Sequence, residues 1–359
     1  MHAHCDSLHC FLPPDVLDHM VQSDDPAVRE AAAKNIATSA ALRARRVALT
    51  GIPGFAGTPS PTGGRYRLVY DAQMRYENVT DNLARQEGDG PVTDRSVNNA
   101  YDNAGIVYDF YKGVFDRNSI DADGMALISA VHYGVNEDNA FWSGDKMLYC
   151  DGDIVFGDTS GAKDVAAHEF THGVIQYESR LEYRNQPGAL NESFADILGI
   201  LARMWFNNET VEEANWWLGG DILAPALKER GVRGIRTLTK DKAYENDPVL
   251  GTDRQPKHMS DLYTGTADRG GVHINSGIPN HAFYLVATEL GGRAWQSGAG
   301  DLWYKTLRAL NYQSDFEAAA KMSYQIAGAD YGINSREQQA VGKAWDSVGC
   351  PVEQARVVA

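Results

Sequence analysis

The sequence is poor in cysteine, in positive charge and in long apolar runs, and each shortage excludes a class of protein. Four cysteines in 359 residues are too few for a disulfide framework. Cys150 and Cys350 could pair only if the fold brought them together, so each reads first as a buried free thiol. Lysine and arginine number 33 against 48 aspartates and glutamates, a formal net charge of −15. Such a balance favours solubility and repels nucleic acid and anionic membranes, and no basic cluster overrides it. Neither nucleic acid nor membrane is therefore expected as a partner. No stretch approaches the ~18 uninterrupted apolar residues of a spanning helix. Acidic and polar residues also break the N-terminal segment where a signal peptide needs a basic flank and an apolar run. The expected address is the cytoplasm, or the exterior by a route without a conventional signal peptide.

What remains is an ordinary globular composition, 43% hydrophobic and 23% charged. The length suits one large core or two lobes, at ~100–200 residues per domain. Residues 14–49 read as helical: PDVLDHMVQ opens on a proline suited to a first helical turn, and the stretch after it is rich in alanine, leucine and arginine. GIPGFAGTPSPTGG (51–64) then holds five glycines and three prolines, the punctuation of a flexible connection. Strands are expected from RYRLVYDA to about residue 160, with a helix near AGIVYDFYKGVF. Helices are expected at 162–177 and 191–206 and through most of the remainder. The predicted order is an appendage (1–50), a linker (51–64), a β-rich lobe (65–190) and a helical lobe (191–359), an α+β protein without internal repeats.

Chemistry enters at His168-Glu169-Phe170-Thr171-His172, an HExxH on a predicted helix. Residues four apart share a helical face, so both imidazoles can reach one ion while Glu169 sits beside it. Roughly one chain in a hundred carries this pattern by chance, so it needs context. Twenty residues past His172 comes Glu192, in NESFAD, with Asp196 again four further on along an apolar helix. Carboxylates on an apolar face are costly unless a cation faces them. A metal accounts for Glu192, although attraction to the helix dipole could account for it too. A metal-bound histidine needs a partner for its other ring nitrogen, which accounts for Asp196, facing His168. A third element, DRGGVHINSG (268–277), offers His273 in a glycine-rich stretch five residues after Asp268. Alone it is a weak signal.

Together, HEFTHGV, NESFAD and YTGTADRGGVHINSG resemble the thermolysin family of neutral zinc metalloproteases from about residue 65 onward. The resemblance implies two lobes, β-rich and α-helical, with the zinc helix on the floor of the cleft between them. It makes His168, His172 and Glu192 the ligands of a single catalytic zinc, supported by Asp196 and Asn191. It makes Glu169 the general base, with His273, oriented by Asp268, and Tyr183 as further catalytic residues. Asn139, Ala140 and Trp142 match the edge segment that binds the substrate chain, and Arg236 the substrate-binding arginine. Val165 and Phe156 are candidate walls of an apolar pocket for the residue after the cut, though ordinary core is almost as good a reading. The expected activity is endopeptidase cleavage of peptides and proteins, with a separate proteinaceous inhibitor as a further partner. By the resemblance the family's paired calcium site is lost: Asp164 remains, but Arg203, Trp217 and Gly220 stand at the other positions, so an Arg203–Asp164 salt bridge is expected instead.

The appendage resembles the short prosegment of the protealysin-like branch through Cys10-Phe11-Leu12-Pro13-Pro14-Asp15-Val16-Leu17. It is expected to inhibit the enzyme with its Pro-Pro region near the cleft, and to be removed by a cut between Arg46 and Gly64. Cys10 as a thiolate near zinc, and His2, His4, Cys5, His9 and Cys10 as a separate metal site, are lesser alternatives to a frayed, partly packed terminus. The rival functions are a zinc-stabilised binding protein without catalysis and a zinc aminopeptidase.

Overall fold

The computed structural model describes residues 9–49, 57–296 and 298–352. His2, His4 and Cys5, and the first part of the glycine- and proline-rich linker, fall outside these residues. The appendage comprises strand β1 (His9–Cys10) and helices α1 (Pro14–Met20) and α2 (Pro26–Leu49). Strands β2 (Arg67–Asp71) and β3 (Leu83–Gln86), helix α3 (Arg95–Phe115), and strands β4 (Leu127–Val131), β5 (Ala140–Trp142) and β6 (Met147–Tyr149) follow. They form one six-stranded sheet in the order β1-β5-β6-β4-β2-β3, in which β4 runs parallel to both neighbours and the other pairs are antiparallel. LISAV makes β4 because an apolar, β-branched run suits a strand buried on both faces, and every residue of it is buried. Helix α3 starts where the Asp94 side chain accepts hydrogen bonds from the Ser96 and Val97 N–H groups.

Helices α4 (Lys163–Tyr177) and α5 (Asn185–Asn207) form the centre of the molecule. All residues of α4 from Asp164 to Ile175 are buried, and so are all residues of α5 from Gly188 to Met204. Gly199 lets the two approach closely: a Cβ there would lie 2.8 Å from the Asp164 carbonyl oxygen and 3.3 Å from the His168 nitrogen. This close packing brings the carboxylates of α5 to the histidines of α4. Helix α5 begins six residues before the expected 191, because Pro187 falls in its first turn, where the absent N–H costs little. It therefore runs across position 190/191.

A short β7 (Trp217–Leu218) and β8 (Arg236–Thr237) pair beside α6 (Pro225–Glu229). The chain then passes through α7 (Asp268–Asn275), α8 (Gly277–Leu290), α9 (Gly298–Ala309), α10 (Phe316–Tyr331) and α11 (Arg336–Ser347). The expected α+β architecture is thus present, with a mixed sheet toward the N-terminus and helices toward the C-terminus. From Cys10 onward the appendage is not frayed. Phe11, Leu12, Val16, Leu17, Met20, Val28, Ala31 and Ala32 belong to the same apolar core as α4 and α5, because burying such side chains outweighs the entropy of ordering the segment.

Candidate metal centre and cleft

His168 and His172, one turn apart on α4, bring their Nε2 atoms within 3.0 Å of each other. Glu192, on α5, lies 3.6 Å from His168 Nε2 and 3.5 Å from His172 Nε2. All three are fully buried. Their outer partners favour one tautomer of each ring. His168 Nδ1 is 2.9 Å from Asp196 Oδ1, and His172 Nδ1 is 2.8 Å from Asn191 Oδ1. The Asn191 amide nitrogen in turn donates to the Leu181 carbonyl, so its oxygen faces the imidazole. Both Nδ1 atoms face oxygen acceptors, an arrangement that suits the tautomers in which both Nε2 lone pairs are aimed at one point. Glu192 adds a carboxylate oxygen with no hydrogen-bond donor. Two converging lone pairs and a buried carboxylate repel one another unless a cation lies among them. This nitrogen and oxygen donor set fits zinc, with the outer hydrogen bonds that zinc ligands normally have.

Asp196 also binds the buried Arg236, which donates Nε–H at 3.0 and 3.1 Å, and the Asn280 amide at 2.9 Å. Burial works against its charge, yet Arg236 and then His168 hold its carboxyl well below the usual range. Burial, followed by the neighbouring His168, pushes His172 well below an ordinary imidazole, in keeping with a neutral ligand.

Glu169 follows His168 on the helix, and His168, Glu169 and His172 present donor atoms within 4.8 Å of one another. Its Oε2 accepts the Trp142 N–H at 2.7 Å, while its Oε1 is buried without a partner. Burial and then Glu192 raise its proton affinity well above that of an ordinary carboxylate. Opposite, α7 enters through four successive left-handed residues, Asp268 to Gly271. This turn folds the Asp268 carboxylate back onto the His273 N–H and the Ile274 N–H, and onto His273 Nδ1 at 2.7 Å. Burial opposes a charge on His273, but Glu192 and Asp268 hold its imidazole in the protonated form. Tyr183 donates its hydroxyl proton to Glu192 and lies 3.2 Å from His273 Nε2.

Between these two sides runs the appendage. Strand β1 pairs antiparallel with β5, His9 opposite Trp142 and Cys10 opposite Phe141. The Cys10 carbonyl lies 3.1 Å from His273 Nε2. The Phe11 N–H donates to the Ala140 carbonyl at 3.1 Å, and the Phe11 carbonyl accepts from Arg236 at 2.7 Å. The Leu12 N–H donates to Asn139 Oδ1 at 2.9 Å. The Phe11 ring packs on Phe156 and His168, under the Arg236 guanidinium, and a Cβ at Gly219 would strike it.

Asn139, Ala140, Arg236 and Phe156 thus converge on one bound segment, whereas Trp142 gives its N–H to Glu169 and Val165 is a buried residue of α4. The prolines lie near the cleft, as expected: Pro13 borders Arg236 and His273, and Pro14 borders Tyr183 and His273. Residues 9–12 fill it; Pro13 is the extended residue that precedes α1, and Pro14 starts that helix. The Cys10 thiol faces the Leu12 carbonyl at 3.7 Å. Sequence reasoning also missed Asp138, whose buried carboxylate accepts the N–H groups of Asp153, Ile154, Val155 and Phe156 and so fixes the Phe156 wall. The available signal was an acidic pair, Glu137-Asp138, immediately before Asn139.

The expected Arg203–Asp164 salt bridge is present at 2.5 Å. Arg203 also donates to the Trp217 and Asn215 carbonyls, and Asp164 accepts the Gly219 N–H.

The thermolysin metallopeptidase catalytic-domain family matches residues 63–176, and the thermolysin metallopeptidase alpha-helical-domain family matches residues 179–350. An extracellular metalloprotease of Pectobacterium carotovorum subsp. carotovorum is 39% identical over 297 residues, which cover 82% of this chain and 84% of that protein. Protease PrtS of Photorhabdus sp. (strain Az29) is 41% identical over 294 residues, 80% of this chain and 77% of its own. Among solved structures, the precursor of protealysin, a metalloproteinase from Serratia proteamaculans, is similar with a TM-score of 0.82 at 36% identity, covering 95% of this chain and 99% of its own.

Proposed function

The chain belongs to the thermolysin family of metallopeptidases and is a zinc-dependent metalloendopeptidase; from this premise we propose how it cuts and how it is held in check. His168, His172 and Glu192 hold the zinc, with Asp196 and Asn191 orienting the imidazoles. When bound there, zinc would supply a Lewis acid for the peptide carbonyl and a water more easily deprotonated than bulk water, its pKa brought down from ~15.7 toward ~7. Glu169, with one oxygen free of partners, takes the proton of the attacking water and passes it to the leaving amine. His273 and Tyr183 donate to the oxyanion that develops on the carbonyl, a contribution of about 3–4 kcal/mol for one such donor. Ala140, Asn139 and Arg236 align the substrate backbone. Phe156, Gly219 and Val165 bound a pocket that favours an apolar residue after the cut.

We further propose that residues 1–50 are an inhibitory prosegment, joined by the 51–64 linker to lobes spanning 65–190 and 191–359, and released by a cut between Arg46 and Gly64. The likeness to the protealysin precursor supports a zymogen, and the extracellular relative supports action outside the cell. The Arg203–Asp164 pair takes the place of the family's double calcium site.

What supports the catalytic reading most is the convergence of His168 Nε2, His172 Nε2 and Glu192 on one point, beside the free oxygen of Glu169. A Glu169→Gln variant tests it. Zinc content should be unchanged, while hydrolysis of a peptide blocked at both ends falls at least about 100-fold. Retained activity would overturn the role of Glu169. Cleavage only of peptides with a free N-terminus would favour an aminopeptidase.

A further inference from the structure

We infer that the Cys10–Phe11 peptide bond is a substrate bond of the chain's own active site, cut in place before the prosegment is released. The inference rests on the protease reading above and adds the identity of one bond. The prosegment lies in the cleft as an added antiparallel strand. Its main-chain bonds grip the residue after the bond from both ends: Phe11 N–H on Ala140, Phe11 carbonyl on Arg236, with the next N–H on Asn139. On the other side of the bond, the Cys10 carbonyl meets His273 Nε2 at 3.1 Å, with the Tyr183 hydroxyl 3.2 Å from the same nitrogen. Trp142, opposite His9 in the pairing, holds one oxygen of Glu169 and leaves the other buried and free.

A slip of one residue either way and the slip that brings Pro13 forward are closed. A slip of one residue would turn the Phe11 ring to the opposite face of the strand, away from Phe156 and Arg236. A slip of two would bring Pro13 to the place of Phe11, and proline has no N–H to donate to Ala140. The reaction is hydrolysis and needs only water. The water oxygen bonds to the Cys10 carbonyl carbon, Glu169 relays first one and then the other of the water's two protons to the Phe11 nitrogen, and the C–N bond breaks. The products end in a Cys10 carboxylate and begin with a Phe11 α-ammonium. The clip does not itself free the cleft. Phe11 stays buried, and α2 stays attached through Thr38 to Glu137 and through Asn35 to the Asp138 N–H.

The test is to incubate the full chain with zinc and follow it by intact mass and N-terminal sequencing. A chain beginning at Phe11 and a fragment of residues 1–10 should appear with first-order kinetics unchanged by 100-fold dilution. Glu169→Gln should abolish the cut, and Phe11→Gly should slow it at least 10-fold. Because Phe11→Gly could undock the segment, amide hydrogen exchange on Glu169→Gln provides a readout without catalysis, with the Phe11 and Leu12 N–H groups expected to be protected. Blocked-peptide hydrolysis after cutting the 51–64 linker separates the outcomes. A hydrolysing enzyme that never yields a Phe11 N-terminus overturns the inference and leaves the protease reading intact. A rate that rises with concentration, a different bond cut among residues 9–14, or unprotected Phe11 and Leu12 amides overturns it equally. If blocked peptides are not cut at all, both readings fail.

Discussion

Asp196 shows how one side chain serves two parts of the site. It orients His168 and, on the same carboxylate, anchors Arg236, which holds the Phe11 carbonyl. Replacing it with asparagine keeps the shape but removes the charge that Arg236 and His168 both use. Asp196→Asn should therefore weaken zinc binding by about 10–100-fold, measured by competition with a chelator, and raise KM for peptides in the same variant. The HExxH and NESFAD residues were legible in sequence because helical spacing alone puts each pair on one face. The link from Asp196 to Arg236 was not, since 40 residues separate them and only the β8 strand brings the guanidinium back. Asp138 was missed for a similar reason: four backbone N–H groups from a loop 15 to 18 residues away carry no side-chain signature.

Among the elements, the pairing of α5 with the β7 loop through Arg203 and the pinning of α3 to the sheet through His132 carry distinct expectations. Arg203 neutralises Asp164 inside the protein. Arg203→Ala should lower unfolding free energy in urea by about 3–5 kcal/mol, because it leaves a buried carboxylate without its counter-charge. Calcium chelation with zinc held constant should leave the unfolding midpoint of the parent protein unchanged.

His132 sits at the end of β4 with Asp151 on Nδ1 at 2.7 Å and Asp94, the residue capping α3, on Nε2 at 2.9 Å. The Asp151 and Asp94 hydrogen bonds raise its pKa to about 9 against burial. A raised imidazole pKa means that the folded state holds the proton more tightly. Its stabilisation is complete below about 6.5 and is lost as pH rises through about 9. His132→Asn, which tolerates the left-handed backbone at this position, should cost about 1–3 kcal/mol at pH 6 and little at pH 10. Equal losses at both pH values would remove the charge from the explanation.

For the molecule as a whole, the central question is how firmly the prosegment sits. Its apolar residues share the catalytic core, but Asp15, in the first turn of α1, is carried into a region that also holds Asp268, His273, Arg254 and Asp253. Burial, and next the repulsion from Asp268, raise its pKa to about 6. Docking is thus coupled to proton uptake: it is strongest below about 3.8 and weakens by about 1–3 kcal/mol as pH rises through 6. Inhibition by the docked segment should weaken over that window in the parent protein. An Asp15→Asn variant, assayed by blocked-peptide hydrolysis after the linker is cut, should be indifferent to pH there. The sequence by itself determined the chemistry: which imidazoles and carboxylates could meet a metal, the α+β class, and a helical appendage. These follow from spacing along single helices and from local composition. Only the tertiary structure decided that Gly199 allows α4 and α5 close enough to join the two motifs, and that Cys10 and Phe11, rather than the prolines, occupy the cleft. Those outcomes depend on which distant surfaces exclude water together, and no periodicity within one segment encodes that.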